Sequence, residues 1–124
     1  MSKLNLGDSL ILDTDYSTSE VKTGATWIDG KPIYRKTFTG TSPASAYTYT
    51  SVITIPNGAY IIYFFGEVGG LPINAIRPVT DSTINSVYTT WVTRNGNTGL
   101  DMVCGTNCTN KGYTITVFYT KTTD

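Results

Sequence analysis

The stretch Thr26-Trp27-Ile28-Asp29-Gly30-Lys31-Pro32-Ile33-Tyr34-Arg35-Lys36, set within residues 16–40, decides the reading of the fold. Two short apolar pieces, residues 25–28 and 33–38, flank a turn. Asp29-Gly30 supplies the residue types that tolerate positive φ, and Pro32 fixes φ at the start of the second piece. The pattern predicts strand, turn, strand. Trp27 and Tyr34 have two readings: rings that stack on a ligand, or rings that anchor the hairpin by burying their large apolar area. Arg35-Lys36 reads as a solvated charge pair.

Downstream, residues 40–46 (Gly-Thr-Ser-Pro-Ala-Ser-Ala) form a loop by composition. Residues 47–55 alternate, with Tyr47, Tyr49, Ser51, Ile53 and Ile55 on one face, as in a half-buried strand. Pro56-Asn57-Gly58 is a turn. Residues 59–65 (Ala-Tyr-Ile-Ile-Tyr-Phe-Phe) are apolar on both faces and predict a central strand covered on both sides. Gly66, Gly69 and Gly70 suggest a bulge or loop after it. Residues 71–79 carry Pro72 and Pro78, which predicts an edge strand or extended loop. Residues 84–94 and 98–103 are strands around Asn95-Gly96, the strongest short hairpin signal in the chain. Cys104-Gly-Thr-Asn-Cys108 is a further turn. Residues 112–121 close with Tyr113, Ile115, Val117 and Tyr119 alternating against Thr114, Thr116, Phe118 and Thr120. No helical periodicity is sustained anywhere. Seven to eight strands joined by Gly and Asn turns predict an all-β fold, an antiparallel β-sandwich of jelly-roll type or a barrel.

Upstream, residues 1–19 are polar apart from Leu10-Ile11-Leu12, and read as an N-terminal arm or linker. Residues 20–124 form the β-domain. A chain of 124 residues predicts one domain with a small core, which association with other copies would help to stabilise.

Charged residues make up 15% of the chain, below the usual quarter, and formal net charge is zero. A nucleic-acid partner leaves a basic footprint, which is missing here. No basic amphipathic helix, apolar leader or transmembrane run is present, so neither membrane nor secretion is expected.

The chain has no histidine. That excludes Ser-His-Asp and Cys-His nucleophilic catalysis and histidine metal sites. Carboxylate chemistry is the remaining common route, and a glycosidase needs two carboxylates about 5–10 Å apart. The candidates are Asp8, Asp13, Asp15, Glu20, Asp29, Glu67, Asp81, Asp101 and Asp124, and solvated surface charge accounts for them. Asp13-Thr-Asp15 lacks the further ligands of a calcium loop. Cys104 and Cys108 would need two more ligands for zinc, and free thiols are expected ahead of a disulfide. No enzyme activity, cofactor or metal is expected.

Nine Tyr and two Trp among few charges are the inventory of a sugar-binding surface. Flat apolar faces stack on pyranose rings while hydroxyls and amides satisfy the sugar hydroxyls. The same residues equally fill a β-sandwich core or a homomeric interface.

Residues 26–36 resemble the T-W-I-D-G-K-P-I-Y-R-K signature of C-terminal domains of bacteriophage tail-fibre and minor structural proteins. Tyr16-Ser17-Thr18 is similar to the start of that module, and Tyr119-Thr120-Lys121-Thr122-Thr123-Asp124 to its end. The resemblance implies a compact β-domain at the distal end of a virion fibre. It implies assembly as a homotrimer in the cytoplasm of a bacterial host, contact with other fibre or capsid proteins, and receptor binding to a bacterial surface polysaccharide. The alternative is a structural module that trimerises or caps a fibre, or decorates a capsid as a head fibre, without receptor contact. A residue of the signature should serve the scaffold, so Trp27 and Tyr34 are expected in packing. Tyr88 and Trp91 lie outside the signature, beside the hairpin carrying Arg94, Asn95 and Asn97. The ligand-binding site is therefore expected first at Tyr88, Trp91, Arg94 and Asn97, with weak contacts multiplied by valency.

Overall fold

The computed structural model describes residues 16–74, 87–94, 97–105 and 108–124. Among these residues there is no α-helix, and the fold is all-β with antiparallel sheets. The strands are β1 Val21–Thr26, β2 Pro32–Thr41, β3 Thr50–Ile55, β4 Gly58–Val68, β5 Leu71–Asn74, β6 Val87–Arg94, β7 Asn97–Cys104 and β8 Gly112–Lys121. Their hydrogen-bonded order is β1-β2-β8-β4-β5-β6-β7-β3. One neighbouring pair departs from the antiparallel expectation: β5 and β6 run parallel, with Ile73 opposite Val87.

The hairpin expected from residues 26–36 is β1–β2, with Val21 opposite Arg35 and Thr26 opposite Pro32. Its turn is closed by Trp27 N–H donating to the Lys31 carbonyl and Gly30 N–H donating to the Trp27 carbonyl, each at 2.9 Å. Asp29 Oδ1 accepts from Lys31 N–H at 3.0 Å, and Gly30 takes φ +88°. That dihedral belongs to the left-handed region, where glycine pays no Cβ penalty. Ile28 does not extend the first apolar piece; it sits on the turn, 93% exposed. The Arg35-Lys36 expectation also needs correction. Arg35 is buried, with its guanidinium 4.9 Å from the Tyr16 ring centroid, while Lys36 is half-buried over Phe38.

Among the described residues the strands buried on both sides are β7, where residues 98–104 are all buried, and β8, not residues 59–65. Tyr113, Ile115, Val117 and Tyr119 enter the core cluster, as their alternation predicts, and Thr116 and Thr120 on the opposite parity are buried as well. β8 is flanked by β2, with Tyr34 opposite Tyr119, and by β4, with Ile61 opposite Tyr119. One core gathers Tyr34, Ile53, Ile55, Ile61, Val68, Leu100, Met102 and the inward residues of β8. β4 contributes to it from one face only; Tyr60, Tyr63, Phe65 and Glu67 are exposed.

Two other expectations shift. Residues 47–49 lie outside the strand: β3 starts at Thr50, and Tyr47 takes φ +60° in the loop before it. A register shift between Ser51 and Ile53 breaks the predicted alternation, leaving Ile53 and Ile55 as the inward residues. The segment beginning at Leu71 is no edge. β5 stands between β4 and β6, pairing through Leu71 and Pro72 with β4 and through Ile73 and Asn74 with β6. Each half of β5 thus works as an edge on one side, which tolerates Pro72 without an amide hydrogen. Pro78, Asn95 and Gly96 lie outside the described residues.

Candidate functional site: an outward aromatic row

The segment Tyr60-Ile-Ile-Tyr63-Phe-Phe65 does not alternate, so on a regular strand its aromatics would split between two faces. β4 re-phases itself. Ile61 is opposite Tyr119 and Tyr63 is opposite Phe118, so Ile62 is an extra residue, a β-bulge that shifts the pleat by one. Tyr60, Tyr63 and Phe65 consequently stand opposite Thr120, Phe118 and Thr116, alternate residues of β8 on its outer face. Ile61 and Phe64 keep the core side. The bulge thereby lines one face of the strand with three exposed rings.

Neighbouring elements extend the row. Trp27, half-buried at the β1–β2 turn, packs against Tyr60 at 5.9 Å between ring centroids. Tyr63 and Phe65 are 5.7 Å apart at 40°, and Phe118 flanks Phe65 at 6.4 Å. Tyr16 meets Phe65 edge-on at 5.7 Å while lying over Arg35. Ser17 holds this arm in place, its carbonyl accepting from Thr37 N–H at 2.9 Å. Arg35 is on β2 and Phe65 on β4, so Tyr16 crosses the intervening strand β8. Tyr16 and Tyr63 remain 57% and 58% exposed, an apolar surface of the kind that marks an interaction site. Beyond Phe65 the same face continues to exposed Glu67, opposite Thr114. Gly66 is built for this approach: with φ +155°, a Cβ there would lie 2.1 Å from the Thr114 carbonyl oxygen.

A polar clasp closes the sheet behind the row. Lys31 Nζ donates to the carbonyls of Lys121 (3.0 Å) and Asp124 (2.6 Å), and Tyr34 donates its phenol to Asp124 Oδ2 at 2.7 Å. Glu20 accepts hydrogen bonds from Tyr119 and Lys121. Tyr34 and Tyr119 stack at 5.9 Å, with Lys121 Nζ 4.4 Å from the Tyr34 centroid. The hydrogen bond to Asp124, with burial behind it, pushes the Tyr34 phenol up to about 12. Burial and then Glu20 raise Tyr119 further. Burial would raise the Glu20 carboxyl too, but the hydrogen bonds from Lys121 and Tyr119 outweigh it and hold the pKa below its ordinary value. Tyr34 thus takes the packing role expected of it, and Trp27 packs on Tyr60 as part of the row.

The remaining candidate groups are already engaged or stand apart. Asp29 caps its own turn, Glu67 is exposed and Asp101 is buried on β7. Asp8, Asp13, Asp15 and Asp81 lie outside the described residues. Cys104 and Cys108 are buried thiols with no disulfide between them, and burial raises both. Buried Ser42 ties their loop: its hydroxyl donates to the Cys108 carbonyl and accepts from Lys111 N–H at 2.9 Å.

Of the sequence-predicted site, only the backbone is described. Tyr88 is in register with Val103, Trp91 with Leu100, and Arg94 with Asn97 at the end of the β6–β7 pair. Tyr88 and Trp91 are three positions apart on one strand, hence of opposite parity. The side chains of all four lie outside the described ones. The aromatic row was missed because residues 59–65 read as uniformly apolar. The signal was available: aromatics at 60, 63 and 65 share a face only if one residue between 60 and 63 is extra. Comparison of the chain with known protein families, curated proteins and solved structures finds no match.

Proposed function

We propose that this chain is a module of a bacteriophage virion fibre that attaches the particle to a glycan on the bacterial surface, with Trp27, Tyr60, Tyr63, Phe65 and Tyr16 forming the contact. The observation that carries the reading is the row itself. A bulge sets three rings on one outer face, and two further elements add rings to its ends. Such rings offer flat apolar faces to sugar carbons, while phenols and the exposed Thr39 and Thr114 on the same face answer sugar hydroxyls. The scarcity of charge among the described residues of this face favours a sugar over a nucleic acid, whose binding needs cations.

The fibre assignment rests on the resemblance of residues 26–36 and 119–124. The clasp supports it, because the two ends of the motif form one structural unit through Lys31, Tyr34 and Asp124. In this reading β1, β2, β8 and β4 form one layer of a jelly-roll-like sandwich, β6, β7 and β3 form the other, and β5 passes between them. The module binds without transforming its ligand, and several copies on one fibre multiply a weak single-site affinity.

The test is binding of the purified chain to a panel of bacterial cells and their isolated surface polysaccharides, beside Tyr63→Ala and Phe65→Ala. Binding reduced at least tenfold by either variant, with the β-rich circular dichroism retained, supports the proposal. No binding across the panel overturns it, as does binding that both variants leave unchanged. Association of copies lost in the same variants would favour a purely structural fibre module.

A further inference from the structure

We infer that the ligand lies lengthwise along β4, as at least three consecutive sugar units from the interior of an extended, uncharged polysaccharide, and not as a single terminal sugar. The inference rests on the glycan reading above and concerns how that glycan is held.

The row is linear. Tyr60, Tyr63 and Phe65 stand opposite Thr120, Phe118 and Thr116, three alternate positions of one strand. From Thr120 to Thr116 the strand rises about 13 Å, at roughly 3.3 Å per residue. Three rings over that distance form a track, each about one sugar unit from the next. A site for one sugar would need rings converging on a common centre. Here the rings follow one another along the strand, Trp27 beside Tyr60 and Tyr63 beside Phe65.

The track has a side wall and no described wall opposite. Phe118 and the arm residue Tyr16 stand beside Phe65 on the β8 side. On the other side β5 pairs with β4 only at Glu67 and Val68, so along Tyr60–Phe65 no described strand borders β4.

Charge narrows the ligand further. Among the described residues, the outer face around the rings carries Arg35, buried beneath Tyr16, and Glu67 at the end of the row. One charge of each sign, one of them covered, gives no field to select an acidic or basic polymer. Exposed Thr39 and Thr114 offer hydroxyls on the same face.

The experiment uses the whole chain and fragments of one to six sugar units, released from whichever polysaccharide binds it in the test above. Affinity is read by Trp27 and Trp91 fluorescence and by calorimetry. The expected result is a rise of at least tenfold from one unit to three, a plateau beyond, and little dependence on salt. Tyr60→Ala should remove the gain from the third unit, and Tyr60→Phe should keep it. A single sugar bound as tightly as the longer fragments overturns the inference while leaving the glycan reading intact. So does affinity that collapses with salt, which marks a charged ligand. If no polysaccharide binds, the glycan reading itself falls and takes this inference with it.

Discussion

Tyr34 and Asp124, 90 residues apart in the chain, are joined by a hydrogen bond of 2.7 Å from phenol to carboxylate. With Lys31 bound to the Asp124 carbonyl, the first hairpin grips the end of the segment that follows β8. Tyr34→Phe and Asp124→Asn should each cost about 1 kcal/mol, below the usual range for a charged acceptor because Asp124 is exposed. The double variant should cost clearly less than the sum. Urea titrations of the four proteins measure this. Additive losses would show that the two groups do not act on each other.

The same clasp sets the pH limits of stability. Glu20 has a folded pKa below the ordinary carboxylate value of about 4.3. Its contribution is therefore present above that value and lost as pH falls through the folded pKa. Tyr34 has a folded pKa raised to about 12. Its contribution is full below the ordinary phenol value of about 10 and lost as pH climbs between the two. Glu20→Gln should flatten the acid limb and Tyr34→Phe the alkaline limb, seen as midpoints of urea unfolding against pH. The acid effect should be the smaller and should shrink with salt, since the Glu20 side chain is 33% exposed.

The bulge on β4 makes a sharper prediction. Deleting Ile62 removes the extra residue and forces the strand before it to slide or turn over relative to β8. Ile61, 3% exposed, then leaves the core or drags Tyr60 into it. The cost should be at least about 2–5 kcal/mol, that of emptying one large aliphatic site. A deletion that melts like the parent would mean that the register described for β4 is wrong.

Gly66→Ala addresses the same strand without changing its length. Its backbone angle alone predicts a loss of roughly 1–3 kcal/mol, and the approach to the Thr114 carbonyl adds to that. Thermal melting reads the change directly. Gly30→Ala is the comparison: it shares the positive φ and has open space around the added carbon, so its loss should be the smaller.

The thiols supply a probe of global opening. Both are buried and both are raised by burial, so neither should react with a disulfide reagent at neutral pH in the native state. Both should react together once urea unfolds the chain. A fast native-state reaction at one of them would place that cysteine in a locally mobile loop.

The hairpin at residues 26–36 was legible because turn chemistry is local: Asp29, Gly30 and Pro32 each constrain their own backbone. β8 was legible because its alternation runs unbroken from Tyr113 to Tyr119. β4 was legible as a strand but its facing was not, because a bulge replaces the period of two with one that no fixed template matches, and apolar residues on an outer face look like core. The burial of Arg35 was hidden for a different reason. It depends on Tyr16, which precedes it by nineteen residues and reaches it only through the arm's path across the sheet. Pro72 argued for an edge, but β5 stands between β4 and β6. Sequence could not show that one four-residue strand would be an edge twice, once for each neighbour.

The placement of β8 between β2 and β4 has a consequence for how the molecule is made. Ribosomes deliver β2 and β4 well before the strand that both must join, and each waits with one side of its ladder unfilled. The β6–β7 pair and the β7–β3 pair can form without β8, but β2 and β4 cannot be joined until Lys121 has emerged. The long-range pairing this requires predicts slow refolding, and it makes nascent chains stalled within β8 the species most in need of protection from one another.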